Sequence, residues 1–248
     1  MPRYDFRTPR IFLDAPLVAG AAVALDRDQA NYLVNVLRLS QGDGVLLFNG
    51  RDGEWQAELT GTGKRSLSAA VGERQREQPA APDLHFLFAP LKHARLDYVV
   101  QKAVEMGVSR IQPVMTQHTQ VSRLNLERMR ANAIEAAQQC GVLAIPEIGE
   151  PVPFKTVAAG DPDRLLVFCD EDAEVADPVA ALMAQRGAHR RPLAVLIGPE
   201  GGFSQDERDA LIQWPNVVRL PLGPRILRAD TAAVAALALV QSVLGDWN

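Results

Sequence analysis

The stretch Leu193-Ala-Val-Leu-Ile-Gly-Pro-Glu-Gly-Gly-Phe-Ser204 decides how this chain is read. Its first five residues are apolar and mostly branched, as in a strand buried on both faces. Gly198-Pro199 ends the run, Gly201-Gly202 permits a sharp turn, and Ser204 with Glu207 three residues on is a capping-box start for a helix. A second stretch repeats the plan. Val217-Val-Arg-Leu220 leads into Pro221-Leu-Gly-Pro-Arg-Ile-Leu-Arg228, and an alanine-rich helix is predicted to begin at Asp230 or Thr231. Strand-to-helix loops at the carboxyl ends of neighbouring strands are where α/β sheets place ligands, so the two loops predict a crevice.

The loop chemistry narrows the ligand. A phosphate cradle relies on main-chain N–H groups, often with a lysine, and gains nothing from a carboxylate among its glycines. Glu200 stands between Pro199 and Gly201, which favours a ligand with hydroxyl donors or positive charge. Leu220, Leu222, Ile226 and Leu227 offer an apolar wall beside it. S-adenosylmethionine (AdoMet), with its adenine, ribose diol and sulfonium, has these properties. Gly-Pro and Gly-Gly also serve as plain turn punctuation, so either loop alone leaves the ligand open.

Working outward, strands and helices alternate from Leu84 onward. Strands are predicted at 84–89, 111–115, 165–169, 193–197 and 217–220, and helices at 96–107, 124–140, 179–185, 204–212 and 231–244. Such alternation predicts an α/β domain with a mostly parallel sheet. Tyr98, Met106 and Met115 fall at apolar-stripe positions and are read as core, and Asp170-Glu171-Asp172 follow a strand end facing the crevice. The last helix is apolar on nearly all sides, hence buried in this domain or against another subunit. Residues 11–72 instead show short strands at 11–13, 44–48, 54–59 and 66–71 with one helix at 27–36. The resulting division is a small β-rich barrel at 1–73, a polar, proline-bounded linker at 74–83 and the α/β domain at 84–248.

Composition sets the class. The 248 residues are 47% hydrophobic and 23% charged, which is ordinary for a globular chain. No apolar run approaches a membrane span and the N-terminus lacks a signal-peptide core, so a cytoplasmic protein is expected. Cys140 and Cys169 are the two cysteines, and neither they nor His85, His93, His118 and His189 show metal-site spacing, so no metal is expected. A net charge of −4 is unusual for a nucleic-acid binder. Residues 1–74, however, balance nine basic against nine acidic side chains, and Arg3, Arg7 and Arg10 interleave with Tyr4 and Phe6, a pattern suited to phosphate contact and base stacking.

Both loops together resemble a known family. Ile197-Gly-Pro-Glu-Gly-Gly202, then Leu222-Gly-Pro-Arg-Ile-Leu-Arg228 and Thr231-Ala232, are similar to the AdoMet-binding half of the small-subunit rRNA uracil-N3 methyltransferases, the RsmE family of the SPOUT superfamily. Leu96-Asp-Tyr-Val-Val-Gln-Lys-Ala-Val-Glu-Met-Gly-Val108, Glu135-Ala-Ala-Gln-Gln-Cys-Gly141 and Val36-Leu-Arg-Leu-Ser-Gln-Gly-Asp43 extend the likeness over nearly the whole chain. The middle motif departs from the family's Glu-Gln pair and following Arg, reading Gln138-Gln139-Cys140-Gly141-Val142. Asp230 also stands where the family has Glu.

The resemblance implies a PUA-like RNA-binding barrel followed by a SPOUT-type sheet with a C-terminal trefoil knot, and a homodimer joined through the knotted region. It implies AdoMet contacts at Leu196, Ile197, Gly198, Pro199, Glu200, Gly201, Gly202, Leu220, Leu222, Gly223, Ile226, Leu227, Arg228, Thr231 and Ala232, with RNA contacts at Arg3, Arg7, Arg10 and Arg38. The reaction implied is methylation of uridine N3 in 16S rRNA of the small ribosomal subunit. N3 carries a proton at neutral pH, so the chemistry needs its removal or a stabilised anion. Arg228 is the predicted anion stabiliser and Asp230 the candidate base or helix cap. The alternatives are a SPOUT enzyme with another target nucleotide, a non-catalytic RNA-binding or ribosome assembly factor, and a nucleotide-binding α/β enzyme.

Overall fold

The computed structural model describes residues 7–61, 67–174, 177–187 and 191–247, the side chain of His93 excepted. The expected RNA contact Arg3, with Tyr4, Phe6 and His189, lies outside the described residues. Two compact units are present, Met1–Ala80 with Ala137–Ile145, and Ala81–Ala136 with Pro146–Asn248.

The first unit is a five-stranded sheet. Its strands are β1 (Arg10–Phe12), β2 (Ala22–Ala24), β3 (Gly44–Phe48), β4 (Glu54–Thr60) and β5 (Ser68–Arg76), in the order β1-β3-β4-β5-β2. β1 runs parallel to β3 and the other pairings are antiparallel. Alternate residues such as Val45, Leu47, Ala57, Leu59, Ala69 and Val71 face one core, and in β3 the opposite residues Leu46 and Phe48 are buried as well. The helix α1 (Arg27–Asn31) starts at a capping box of Asp26 and Gln29, then widens into a π-helical turn at Tyr32–Val36. That turn closes with Leu39 N–H donating to Leu33 O and with Arg38 at φ 62°, a left-handed position usually taken by glycine. Arg38 is exposed there.

Arg10 is a correction to the expected phosphate-binding set. Its side chain is only 4% exposed and pairs with the equally buried Glu54, which also takes Arg76 at 2.7 Å. Burial pushes the Glu54 carboxyl up, and hydrogen bonds from Arg76 and Arg10 override this and hold its pKa below the usual value. The same two arginines reach Gln138 O and Gly141 O at the end of α3 (Leu126–Cys140), where cations suit the helix dipole. Gln138 Oε1 also accepts Phe12 N–H at 2.8 Å, so the departing middle motif is built into the first unit. Strand β5 accordingly continues to Arg76, into the stretch expected as linker.

The second unit is a parallel sheet. Strands β6 (Leu84–Phe88), β7 (Arg110–Met115), β8 (Glu147–Ile148), β10 (Leu165–Cys169), β11 (Leu193–Ile197) and β12 (Val217–Leu220) lie in the order β12-β10-β11-β6-β7-β8, and β9 (Val152–Pro153) pairs with β7. All these pairings are parallel. Between them run α2 (His93–Glu105), α4 (Phe154–Ala158), α5 (Pro178–Met183), α6 (Gln205–Ile212) and α7 (Ala229–Val243). Short β8, β9 and α4 escape prediction because two to five residues carry no periodicity. Leaving edge strand β12, the chain returns to seat α7 against α2, α5 and β11. Tyr98 corrects another expectation: it is 43% exposed, with Lys102 Nζ 5.5 Å from its ring centroid.

Candidate functional site

Register places the site. Phe168 of β10 pairs with Leu196 of β11, and Cys169 with Leu220 of β12, so three strands end at one edge of the sheet. Their following loops enclose a cavity of about 480 Å³. Both glycine loops meet on it: Ile197 to Gly202 supply one wall, and Leu220, Leu222, Gly223 and Ile226 to Arg228 another, with Ala232 behind. Leu196 is wholly buried inside β11, and Thr231 faces outward in the first turn of α7, so these two support the wall without lining it.

The first loop is fixed by its own sequence. A Cβ on Gly198 would stand 2.7 Å from Phe203 Cε2, so only glycine admits that ring, which packs edge-on to Phe168 at 5.2 Å. Gly202 takes φ +70°. Ser204 caps α6 through Glu207 N–H, and the buried Glu207 carboxylate returns to Ser204 N–H while also accepting Gln117 N–H at 2.8 Å. His118 Nδ1 lies 3.0 Å from Gly202 O, so the loop after β7 holds the glycine loop from its other side.

Charges on the wall differ in their partners. Glu200 pairs with Arg95 at 3.3 Å. Asp170, buried at the end of β10, is paired with Arg208 and Arg219, and Arg208 also reaches Glu171 and Asp172. These acids, predicted to face the crevice, thus form an arginine-bridged floor on which Asp170 and Glu171 line the cavity. Burial, reinforced by the Asp170 carboxylate, pushes the Cys169 thiol up to about 12, so it lines the cavity as a neutral group. Arg225 and Arg228 line it with no acidic partner among the described residues.

Arg228, not Asp230, is the N-cap of α7. Asp230 lies inside the first turn, off the cavity wall, and its Oδ1 accepts Thr231 N–H at 2.9 Å. Helix formation thus begins one residue earlier than the Asp230 start predicted from sequence. Asp170 and Glu171, placed at the crevice from the sequence, are in the lining, and Cys169, Phe203, Arg225 and Ala229 complete it without having been predicted. For Cys169 the signal was available, since it is the last residue of a buried strand at its carboxyl end. Among the described residues, no group of three or more His, Cys, Asp or Glu could hold a metal ion, and no helix is long and apolar enough to cross a membrane.

A β-rich unit followed by a parallel sheet with a glycine-loop crevice defines an RNA methyltransferase, and two family models agree. The RNA methyltransferase domain matches residues 77–241 and the RNA methyltransferase PUA domain matches residues 25–71. A Ribosomal RNA small subunit methyltransferase E from Rickettsia conorii is 30% identical, covering 94% of this chain and 94% of its own. The chain belongs to the ribosomal RNA small subunit methyltransferase E family. Two solved structures are similar throughout. A Neisseria gonorrhoeae ribosomal RNA small subunit methyltransferase E bound to S-adenosyl methionine has a TM-score of 0.84 at 26% identity, covering 98% of this chain and 100% of that one. A Legionella pneumophila putative methyltransferase in complex with the same cofactor has a TM-score of 0.82 at 28% identity, covering 95% and 98%.

Proposed function

We propose that the protein uses AdoMet to methylate N3 of a uridine in the 16S rRNA of the small ribosomal subunit. The observation that carries this reading is the meeting of two glycine loops on one cavity that holds a carboxylate and an unpaired guanidinium. A cavity of about 480 Å³ with apolar walls and a few polar groups suits a nucleoside-sized ligand. The cofactor named in the Neisseria and Legionella structures fits this donor set: Glu200 answers positive charge or hydroxyl donors, and Leu220, Leu222 and Leu227 cover an adenine. When bound, AdoMet supplies an electrophilic methyl group on its sulfonium.

The remaining chemistry belongs to the chain. Removing the N3 proton spreads negative charge over the two flanking carbonyl oxygens of uracil. Arg228 stands at the N-terminus of α7, a 15-residue helix, so its guanidinium and the helix's positive end favour that charge together. Each wall carboxylate is engaged by an arginine and Asp230 is not part of the cavity lining, so we assign proton removal to water. Exposed Arg7 and Arg38 on the first unit serve as phosphate contacts. The return of α7 from β12 to α2 supports a trefoil threading, and a second copy of the chain completes a homodimer.

The test is incubation of the purified protein with tritiated AdoMet and undermodified small subunits, in parallel with free rRNA, followed by nucleoside analysis. Label in 3-methyluridine is expected. Label in another nucleoside overturns the target, and no transfer to either substrate overturns the reading.

A further inference from the structure

The second unit carries another cavity, of about 440 Å³, outside the glycine-loop crevice. Its walls are the start of α2 and the segment that leads from the loop after β7 into α3. Leu96 and the fully buried Met129 give it an apolar side, while Lys92 and Arg123 stand exposed at the opening. Neither cation has an acidic partner among the described residues. The carboxylate in the lining, Asp97, is already engaged by Arg128 and Asn132, so it does not oppose an anion there. Gln120 and Ser122 also line the cavity, and neither side chain hydrogen-bonds within the described residues.

Both walls contact the first glycine loop. Arg95, in the first turn of α2, pairs with Glu200, and His118, two residues before Gln120, contacts Gly202 O. A ligand in the second cavity therefore lies against the same two segments that hold the first glycine loop. Its volume falls in the range of small-ligand sites. A polyphosphate would call for a cradle of main-chain N–H groups, whereas two side-chain cations at an opening suit one phosphodiester.

We infer that this cavity receives an RNA nucleotide flanking the methyl acceptor, with its base against Leu96 and Met129 and its phosphate between Lys92 and Arg123. The inference rests on the function proposed above. It gives an acidic chain a local, substrate-directed source of RNA affinity beside the reacting base.

The experiment uses the full-length protein and the double variant Lys92→Ala/Arg123→Ala, with Lys92→Arg/Arg123→Lys as the charge-keeping control. KM for undermodified rRNA is expected to rise about tenfold in the alanine variant, and the slope of log KM against log salt to shrink by about 0.7, the value for one phosphate on a single strand. AdoMet affinity, measured by calorimetry, is expected to stay within about twofold, and the charge-keeping control to recover most of the KM. An unchanged KM and salt slope, or an equal loss of AdoMet binding, overturns the inference. If the wild-type protein methylates no RNA, the parent reading falls by itself. The salt slope of single-stranded RNA binding then decides the cavity: a slope shared by wild type and alanine variant overturns it.

Discussion

Glu200 and Arg228 share a cavity wall and differ in their partners, which separates their expected roles. Glu200 is held by Arg95 and, in the role proposed for it, offers its remaining lone pairs to the cofactor, so Glu200→Ala is expected to weaken AdoMet binding about tenfold, the scale of one charge-assisted hydrogen bond. Arg228 lacks an acidic partner among the described residues and is the proposed stabiliser of the developing anion, so Arg228→Ala is expected to lower kcat about 100-fold with a small change in AdoMet affinity. Calorimetry and single-turnover rates measure both, and equal effects of the two variants on AdoMet affinity would sink the division. Cys169 makes a pH prediction. Its thiol is raised to about 12 in the folded protein against an ordinary 9.0, so the stability tied to the neutral thiol is complete below pH 9 and lost as pH rises towards 12. Cys169→Ala is expected to flatten this fall, narrowing its stability gap to the wild type by roughly 1 kcal/mol at pH 10 in urea denaturation. A gap that does not change between pH 8 and pH 10 would show that the thiol titrates freely. Ile226 marks the limit of reading single residues from sequence: its place in an apolar pattern predicted a wall, and it does line the cavity, yet the residue is 98% exposed.

Elements show which parts of the fold local pattern can specify. The alternation after Leu84 and the two glycine loops were legible because each strand, cap and turn is a local signal, and parallel register then brings the loops together without further information. The Arg10–Glu54–Arg76 cluster was not legible, since it joins β1, β4 and β5 to the end of α3 across gaps of 22 to 128 residues. An arginine among aromatics near a terminus reads as an RNA contact when its carboxylate lies so far along the chain. Replacing Glu54 with Gln leaves two buried or half-buried guanidiniums without their anion and is expected to cost about 3–5 kcal/mol. Because the folded-state pKa of Glu54 is depressed, its contribution is present above the ordinary carboxylate value of 4.5 and fades as pH falls through the lower folded one. Denaturation at pH 7 and pH 3 checks this: the gap between wild type and Glu54→Gln should shrink at the acid end, and a constant gap would place the stabilisation elsewhere. Gly198 tests the crevice in the same way. Gly198→Ala drives a methyl group into Phe203, which Phe168 holds edge-on, so a loss of about 1–3 kcal/mol and weaker AdoMet binding are expected. Unchanged stability would mean the ring is free to retreat.

At the scale of the whole molecule, the question is what covers the apolar surface left near the C-terminus. The inner side of α7 is satisfied within the chain: Ala233, Ala236, Leu237 and Val240 are buried, and the helix packs on α2, α5 and β11. The outer surface is different. Met183 at the end of α5 is 53% exposed and Trp247 beyond α7 is 54% exposed, while Arg186 Nε bonds Val243 O at 2.8 Å and joins the ends of these two helices. Large side chains left open this way suit a subunit interface, where aromatic residues and Met are enriched. The homodimer proposed above is expected to bury both. Sedimentation should find a dimer for the wild type, and Met183→Glu or Trp247→Glu should weaken it by about 30-fold or more, the 2 kcal/mol or more that central anchors contribute. The edge strand β12 and the second glycine loop lie next to this surface in the fold, because α5 packs on β12 as well as on α7. Loss of the dimer should therefore also lower AdoMet affinity, although Met183 and Trp247 do not line the cavity. A wild-type monomer with full methyltransferase activity would refute the interface. A monomeric variant with unaltered AdoMet binding would retain the interface and remove its link to the crevice.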